Sequence, residues 1–337
     1  MSFGRIALGI KTPIITNGSD LFSIIIDSIS STISIQSGDI IGITESVVAR
    51  SQGLYVTLDE ITEEVKSLNF KNLPIRLWNP IYSRNRFSMI LKAIARATSS
   101  IEIIMPPFDE VGNPAETNPF TGVNMKDYYT EICTKENCKV TILPKVQYDS
   151  VNKHFNIDCH LRPSGNFVSL KNICSSVSEY GLLGSNKASE EKLKLFPNGQ
   201  DLVNKIQDYY HYHNLDVEVL IFGDGCFKDP IGGIWEFADP VTSPAYTSGL
   251  EGTPNEIKIK AFADDKYSNL SGPSLDEAIK QEIKSKPSNL INNMSSQGTT
   301  PRRKIDLLVS LMDLVSGSGD AGTPIVVVRN YGKSFAD

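Results

Sequence analysis

What the chain lacks narrows its chemistry first. Among its 337 residues no uncharged apolar run approaches the roughly 20 residues that a membrane span needs. Met1 to Ile10 carries Arg5 and continues to Lys11 without the apolar stretch of a secretory signal, so a cytoplasmic protein with no membrane partner is the expectation. Basic residues are the minority charge: 33 Lys+Arg stand against 39 Asp+Glu, a formal net charge of −6. Binding by bulk phosphate neutralisation is therefore disfavoured and no nucleic acid is expected, although a local basic patch can still hold a single nucleotide. Cysteine is scarce and odd in number, five in all (Cys133, Cys138, Cys159, Cys174 and Cys226), which fits reduced thiols better than a disulfide framework. Cys133 and Cys138 form half of a zinc spacing, but the two further cysteines that a zinc site needs nearby are missing. The four histidines are a poor catalytic set. His211 and His213 stand two apart at a predicted helix end and do not share a face, while His154 and His160 fall where no periodicity is visible. With no Gly-x-Ser-x-Gly elbow and no Cys–His pair at a motif spacing, covalent nucleophilic catalysis is disfavoured, and no catalytic residue or general base is assigned.

What is present is enough to fold. Hydrophobic residues make up 40% and charged residues 21%, apolar enough for a core and too weakly charged for a disordered chain. Short β-branched runs alternate with helical patterns, which predicts an α/β (mixed α+β) fold of mixed sheets packed with helices, in one domain over 1–337. Strands are expected at 40–44, 101–105, 140–144, 217–222, 257–262 and 325–329. A helix is expected over 84–97, where Phe87, Ile90, Leu91, Ile94 and Ala95 form one apolar stripe. A second is expected over about 301–315, with Thr300 as cap, Pro301 in the first turn, Ile305, Leu308, Met312 and Val315 inward, and Gly317 just past its end. Further helices are expected near 20–34, 59–68, 199–213 and 274–285. The polar stretch 286–300 reads as a mobile loop and 150–200 as an elaboration within the fold.

Three segments are candidates for chemistry. Gly317-x-Gly319-x-x-Gly322 has the spacing of a dinucleotide fingerprint but follows a helix and precedes a strand, the reverse of the required order. Thr323-Pro324 stands where a phosphate loop needs Lys and Ser/Thr, so a Walker-type site is excluded. A Gly-rich turn that cradles an anion and a plain helix-to-strand connection both remain open. Next, the strands at 101–105 and 217–222 are expected to run out into Asp109, Glu110 and Asn113, and into Asp224 between two glycines. Carboxylates beyond strand ends suit a divalent metal held with phosphates, and they equally suit ordinary turns. Finally, Thr44-Glu45-Ser46 followed by Arg50 and Gly53 suits phosphate or ribose contacts, or a capped strand–helix junction with a solvated arginine.

Taken in order, these segments resemble the F420-0:gamma-glutamyl ligase family. GIKTPIITNGSDL (9–21) is similar to its opening Gly-Ile-Pro and Gly-Asp-Asp-Leu pattern, and GDIIGITESVVARSQG (38–53) to its Gly-Asp-Val strand and Val-Ser-Lys-x-Glu-Gly. DEVGN (109–113) resembles its metal-binding Asp followed by Asn, and GDGCFKDP (223–230) its Asp-Ser/Thr-Phe-Gly-Arg loop. The end, KIDLLVSLMDLVSGSGDAGTPIVVVRN, is similar to its Asp-Glu-Leu-Ala helix, Met-Gly turn and Pro-Val-Val-Val-Arg strand.

The resemblance implies an amide ligase that joins L-glutamate to a carboxylate acceptor, with GTP (or ATP) as co-substrate, two divalent cations (Mg or Mn) and a homodimer. By position it assigns metal contacts to Asp109, Asp224 and Gly225. It assigns nucleotide contacts to Gly9, Ile10, Pro13, Glu45, Ser46, Arg50, Asn113, Ser316, Gly317, Ser318, Gly319 and Gly322. The chain departs from the family pattern in five places. Ala49-Arg50 stands for Ser-Lys, Asn113 lies one residue farther from Asp109, and Gly225 replaces a hydroxyl residue. Ser318 replaces a Gln or Glu, with Asp320 nearby, and Asp306-Leu307 replaces Asp-Glu. The acceptor implied by the family is coenzyme F420-0. The Asn-, Ile-, Lys- and Ser-rich composition points to an AT-rich bacterial genome, for which a folate acceptor is the alternative. An inactive nucleotide-binding sensor or scaffold is the alternative of another class.

Overall fold

β-Branched runs pair into sheets, and amphipathic helices bury their stripes against them. A computed structural model describes residues 4–68, 70, 73–78, 80, 85–108, 114–118, 121–145, 153–159, 167–228, 234–253, 259–285, 303–317 and 319–337, without the side chains of 85–86, 224–228 and 234–241. The chain begins β1 (Ile6–Ile10), α1 (Leu21–Ser30), β2 (Ile40–Thr44), α2 (Glu45–Gln52), β3 (Tyr55–Thr57) and α3 (Leu58–Ser67). It continues through β4 (Ile75–Trp78), α4 (Asn85–Ala97), β5 (Ser100–Met105), α5 (Met125–Lys135), β6 (Lys139–Pro144), β7 (Phe155–Asp158) and β8 (Val168–Ser169). Then follow β9 (Ser185–Ser189), β10 (Lys192–Leu195), α6 (Gln200–Tyr212), β11 (Glu218–Lys228) and β12 (Ile234–Tyr246). The last elements are α7 (Ile259–Ala261), α8 (Pro273–Ser285), α9 (Lys304–Ser316) and β13 (Ile325–Arg329). The mixed α/β class expected from the sequence is what the chain adopts.

Among the described residues three sheets form, with strand orders β1-β13-β2-β11-β12, β3-β10-β9 and β6-β5-β4-β7-β8. The last is parallel throughout. α4 buries against it the stripe read from the sequence, Phe87, Ile90, Leu91, Ile94 and Ala95. Each large apolar side chain so buried contributes about 1.5–3 kcal/mol.

The first sheet is covered on both faces, which is why β2 and β13 read as unbroken apolar runs. Ile41, Ile43, Ile325 and Val327 pack with Ile25 and Ile29 of α1 and Val203 and Ile206 of α6. The alternate residues Val326 and Val328 pack with Ile305, Leu308 and Met312 of α9. Gly42 lets α9 lie close, since a Cβ there would sit 2.2 Å from the Met312 sulfur.

Several expectations are revised. The strand expected at 217–222 continues to Lys228, because β12 pairs with it far past the point where β2 stops. The strand expected at 257–262 is not one: Ile259–Ala261 is a helical turn continued by a π-type turn over Phe262–Lys266. Alternating residues need a sheet edge to pair with, and Ile259 remains exposed. The unperiodic region about 150–200 supplies β7 to β10, whose runs of two to five residues are too short to show a period. α9 starts at Lys304, while the Thr300 and Pro301 signals and the loop expected at 286–300 lie outside the described residues.

Candidate functional site

The site is set by where strands leave the first sheet. β2 and β11 are parallel, and their pairing ends together at Thr44 and Phe222. β13 enters at the same end, with Ile325 opposite Ile43 and the Thr44 N–H donating to the Pro324 carbonyl at 2.9 Å. β1 leaves there too, since Ile10 faces Ile325 and the Thr12 N–H donates to the Gly322 carbonyl at 3.3 Å. Four stretches remote in sequence thus meet at one end of one sheet: Gly9–Pro13, Thr44–Arg50, Phe222–Asp224 and Ser316–Pro324.

Each stretch has a local cause. α9 ends at Ser316 because Gly317 takes φ +67°, and Gly322 takes φ +68° before the chain turns into β13. Only glycine adopts that left-handed region without strain. The Thr323 hydroxyl donates to the Ser316 carbonyl at 2.8 Å and closes the turn, while Gly9 lets Thr323 approach to 3.3 Å of where a Cβ would be. Gly319 is exposed at the turn and Ser316 is buried beneath it. The Ile10 side chain belongs to the core, and Pro13 is exposed.

At the other side of the opening, extended Thr44 precedes α2, whose first residue Glu45 is buried. Glu45 lies flat on Gly223: a Cβ at Gly223 would fall 2.0 Å from Glu45 Cγ. Its Oε1 accepts from Asn186 Nδ2 at 3.3 Å and stands 3.4 Å from Lys194 Nζ, which donates to Ser46 Oγ at 2.7 Å. Arg50 is exposed one helical turn beyond Ser46 on the same face. Asn186 and Lys194 come from the second sheet, and the sequence reading missed both. The signal available was the Lys-Leu-Lys-Leu alternation of 192–195, which puts Leu193 and Leu195 in the core and the lysines on the opposite face.

Asp224 is not in a loop past a strand end. It sits inside β11 as the strand continues on β12, with register slips between Ile221 and Gly223 and between Asp224 and Cys226. Such bulges redirect a strand and are frequent beside active sites. Gly225 shares that segment. Asp109, Asn113 and Ser318 lie outside the described residues; the chain that carries Asp109 and Asn113 is bracketed by a bridge between Phe108 and Pro114 after β5.

Burial pushes the Cys133 thiol up to about 12, helped by Cys138, and the Cys138 thiol up to about 11, so neither is a ready thiolate ligand. Among the described residues no group of three or more His, Cys, Asp or Glu is placed to hold a metal ion. His211 Nε2 faces Asp216 at 3.2 Å and His213 Nδ1 lies 2.8 Å from the Tyr209 carbonyl, both on the surface. Burial lowers the His154 pKa, against the opposing pull of Glu102. No described helix is long and apolar enough to cross a membrane.

With this geometry in hand, a sequence model of the F420-0:Gamma-glutamyl ligase family matches residues 9–330. The chain belongs to this family. Its activity is therefore γ-glutamyl ligation, the closing of a C–N bond. No individually curated protein matches the chain. The family match runs from Gly9 to Asn330, so all four stretches that meet at the end of the first sheet fall inside it. At this end of the sheet the Glu45 carboxylate lies against Gly223, one residue before Asp224.

Proposed function

We propose that this γ-glutamyl ligase activates the carboxylate of its acceptor with GTP and joins it to L-glutamate. A carboxylate is a poor electrophile because its leaving group would be oxide. An acceptor oxygen therefore attacks the γ-phosphorus of GTP, the bond to the β-phosphate oxygen breaks, and GDP leaves. The glutamate amino nitrogen then attacks the acyl carbon of the acyl phosphate, inorganic phosphate departs, and the amine gives up a proton to complete the amide. Alignment of reactants accounts for most of the rate in such chemistry, and no covalent enzyme intermediate is required.

In this reading the backbone of Gly9–Pro13, the turn of Ser316, Gly317, Ser318, Gly319 and Gly322, and Glu45, Ser46, Arg50 and Asn113 hold the nucleotide. Asp109, Asp224 and the Gly225 backbone would hold two Mg or Mn ions, whose charge would offset that of the phosphate oxygens. The enzyme would work as a homodimer in the cytoplasm. The observation that supports the reading most directly is the meeting of the Gly9, Thr44, Gly223 and Gly317 stretches around the ends of β2 and β11.

The test is mass spectrometry of candidate acceptors after incubation with GTP, Mn and L-glutamate, with GDP and phosphate counted in parallel. Addition of glutamate to coenzyme F420-0 assigns that acceptor, and addition to a folate assigns the alternative. GDP released in step with amide formed supports the mechanism, whereas amide formed without nucleotide cleavage overturns it. The Gly225 and Ser318 replacements motivate a second reading, a nucleotide sensor without catalysis; GTP binding with no turnover on any acceptor would establish that role.

A further inference from the structure

β10 carries its lysines away from the core, and one of them reaches another sheet's strand end. Lys194, whose side chain is 12% exposed, donates to Ser46 Oγ at 2.7 Å and stands 3.4 Å from Glu45 Oε1. Its cross-strand partner on β9, Asn186, donates to the same Glu45 oxygen at 3.3 Å. The hairpin thus grips the start of α2 at two points. The first turn of a helix already presents positive N–H dipoles, which disfavour a cation. Lys194 is nevertheless directed to Ser46 in that turn, and Arg50 adds a second cation on the Ser46 face, its guanidinium meeting no acceptor among the described residues. Among the described side chains, Glu45 is the carboxylate that faces Lys194 there. A lysine and an arginine on the exposed Ser46 face of a helix N-terminus are groups that an anionic ligand would engage.

We infer that Lys194 is a phosphate-contacting residue of the nucleotide cradle, supplied by the β9–β10 hairpin, with Asn186 and Glu45 positioning it. The inference rests on the nucleotide reading above and adds a residue to it. The ligand it takes is the polyphosphate of a nucleoside triphosphate. Lysine suits that task as a compact charge with three donors, of which Ser46 takes one and Glu45 stands 3.4 Å away before the ligand arrives.

The experiment is isothermal titration of the full chain, wild type and K194M, K194R and K194Q, with GTP, ATP and guanosine in Mn buffer, with Tm recorded for each. Loss of one charge-assisted contact is expected to weaken triphosphate binding by K194M about 10- to 100-fold. Guanosine binding should be unchanged and K194R should recover much of the loss. K194Q carries the same expectation as K194M and serves if the latter does not fold. Equal triphosphate affinity in wild type and K194M or K194Q overturns the inference alone, as does an equal loss of guanosine and GTP, which would mark Lys194 as a packing residue. A wild-type protein that binds neither triphosphate overturns the nucleotide reading and this inference with it.

Discussion

The two ends of the five-stranded sheet hold their charges in opposite ways. Where β2 begins, Asp39 is 1% exposed and takes Arg329 Nε at 2.9 Å and Nη2 at 2.7 Å, with the Gln36 N–H at 2.9 Å. The same guanidinium donates to the Ser34 carbonyl at 2.8 Å. One bidentate pair ties the last residue of β13 to the turn before β2, and both carboxylate oxygens have donors. Where β2 ends, Glu45 is shared between a hairpin and a strand, Lys194 stands beside it, and Ser46 and Arg50 are exposed. The same two strands therefore carry a bidentate ion pair at one end and, at the other, a carboxylate shared between Asn186 and Lys194. The saturated, bidentate ion pair serves the fold.

That contrast can be broken from either side. The largest stability effect is expected from Asp39→Ala, which strands the Arg329 charge and should cost about 3–5 kcal/mol in chemical denaturation. GTP affinity of the protein that remains folded should not change, because the ion pair lies at the far end of the sheet. Gly223→Ala acts at the Glu45 end instead. Its Cβ would force Glu45 aside, and a shift of that size at a reacting centre is expected to cost about 100-fold in kcat/KM. Its midpoint of denaturation should move less than that of Asp39→Ala. Arg50→Ala sharpens the comparison further: calorimetry should show GTP binding about 10-fold weaker, with stability within about 0.5 kcal/mol of wild type.

The smallest effect is expected at Asp20, the cap of α1, close in sequence to Gly18, whose N–H donates to the Ser51 carbonyl of α2 at 2.9 Å. The Ser23 hydroxyl, and then the Ser23 N–H, hold the Asp20 carboxyl below its ordinary value. A carboxyl depressed on folding contributes stability above its unfolded pKa and loses it as pH falls through the folded one. Asp20→Ala should therefore lower Tm at neutral pH, and the two scanning-calorimetry curves should converge in acid. A Tm difference that persists at low pH would show that the cap does not act through its charge.

Some of this was legible in advance. The α4 stripe and the β2 and β13 runs are periodic over enough residues to give their environment away, and the Gly317 stop is a local backbone requirement. The short strands β3, β9 and β10 were not legible. Runs of three to five residues show no period, and their pairing partners are far away in the chain. The extension of β11 through Asp224 was misjudged for the same reason, because glycines on both sides read as a turn until β12 supplies a partner. Glu45, Ser46 and Arg50 could be named as candidates from type and spacing. Asn186 and Lys194 could not, since nothing within the hairpin's own sequence says which helix it will meet.

Composition, periodicity and ordered motifs, properties of neighbouring residues along the chain, determined a mixed α/β γ-glutamyl ligase fold whose apolar strands need cover on both faces. Strand order and register decided the rest. Only the parallel pairing of β2 with β11, flanked by β13 and β12, sets Glu45 on Gly223, and only the hairpin of the second sheet brings Lys194 to Ser46. Contacts between residues more than a hundred positions apart are fixed by backbone pairing and packing in three dimensions, and a linear pattern carries no measure of them.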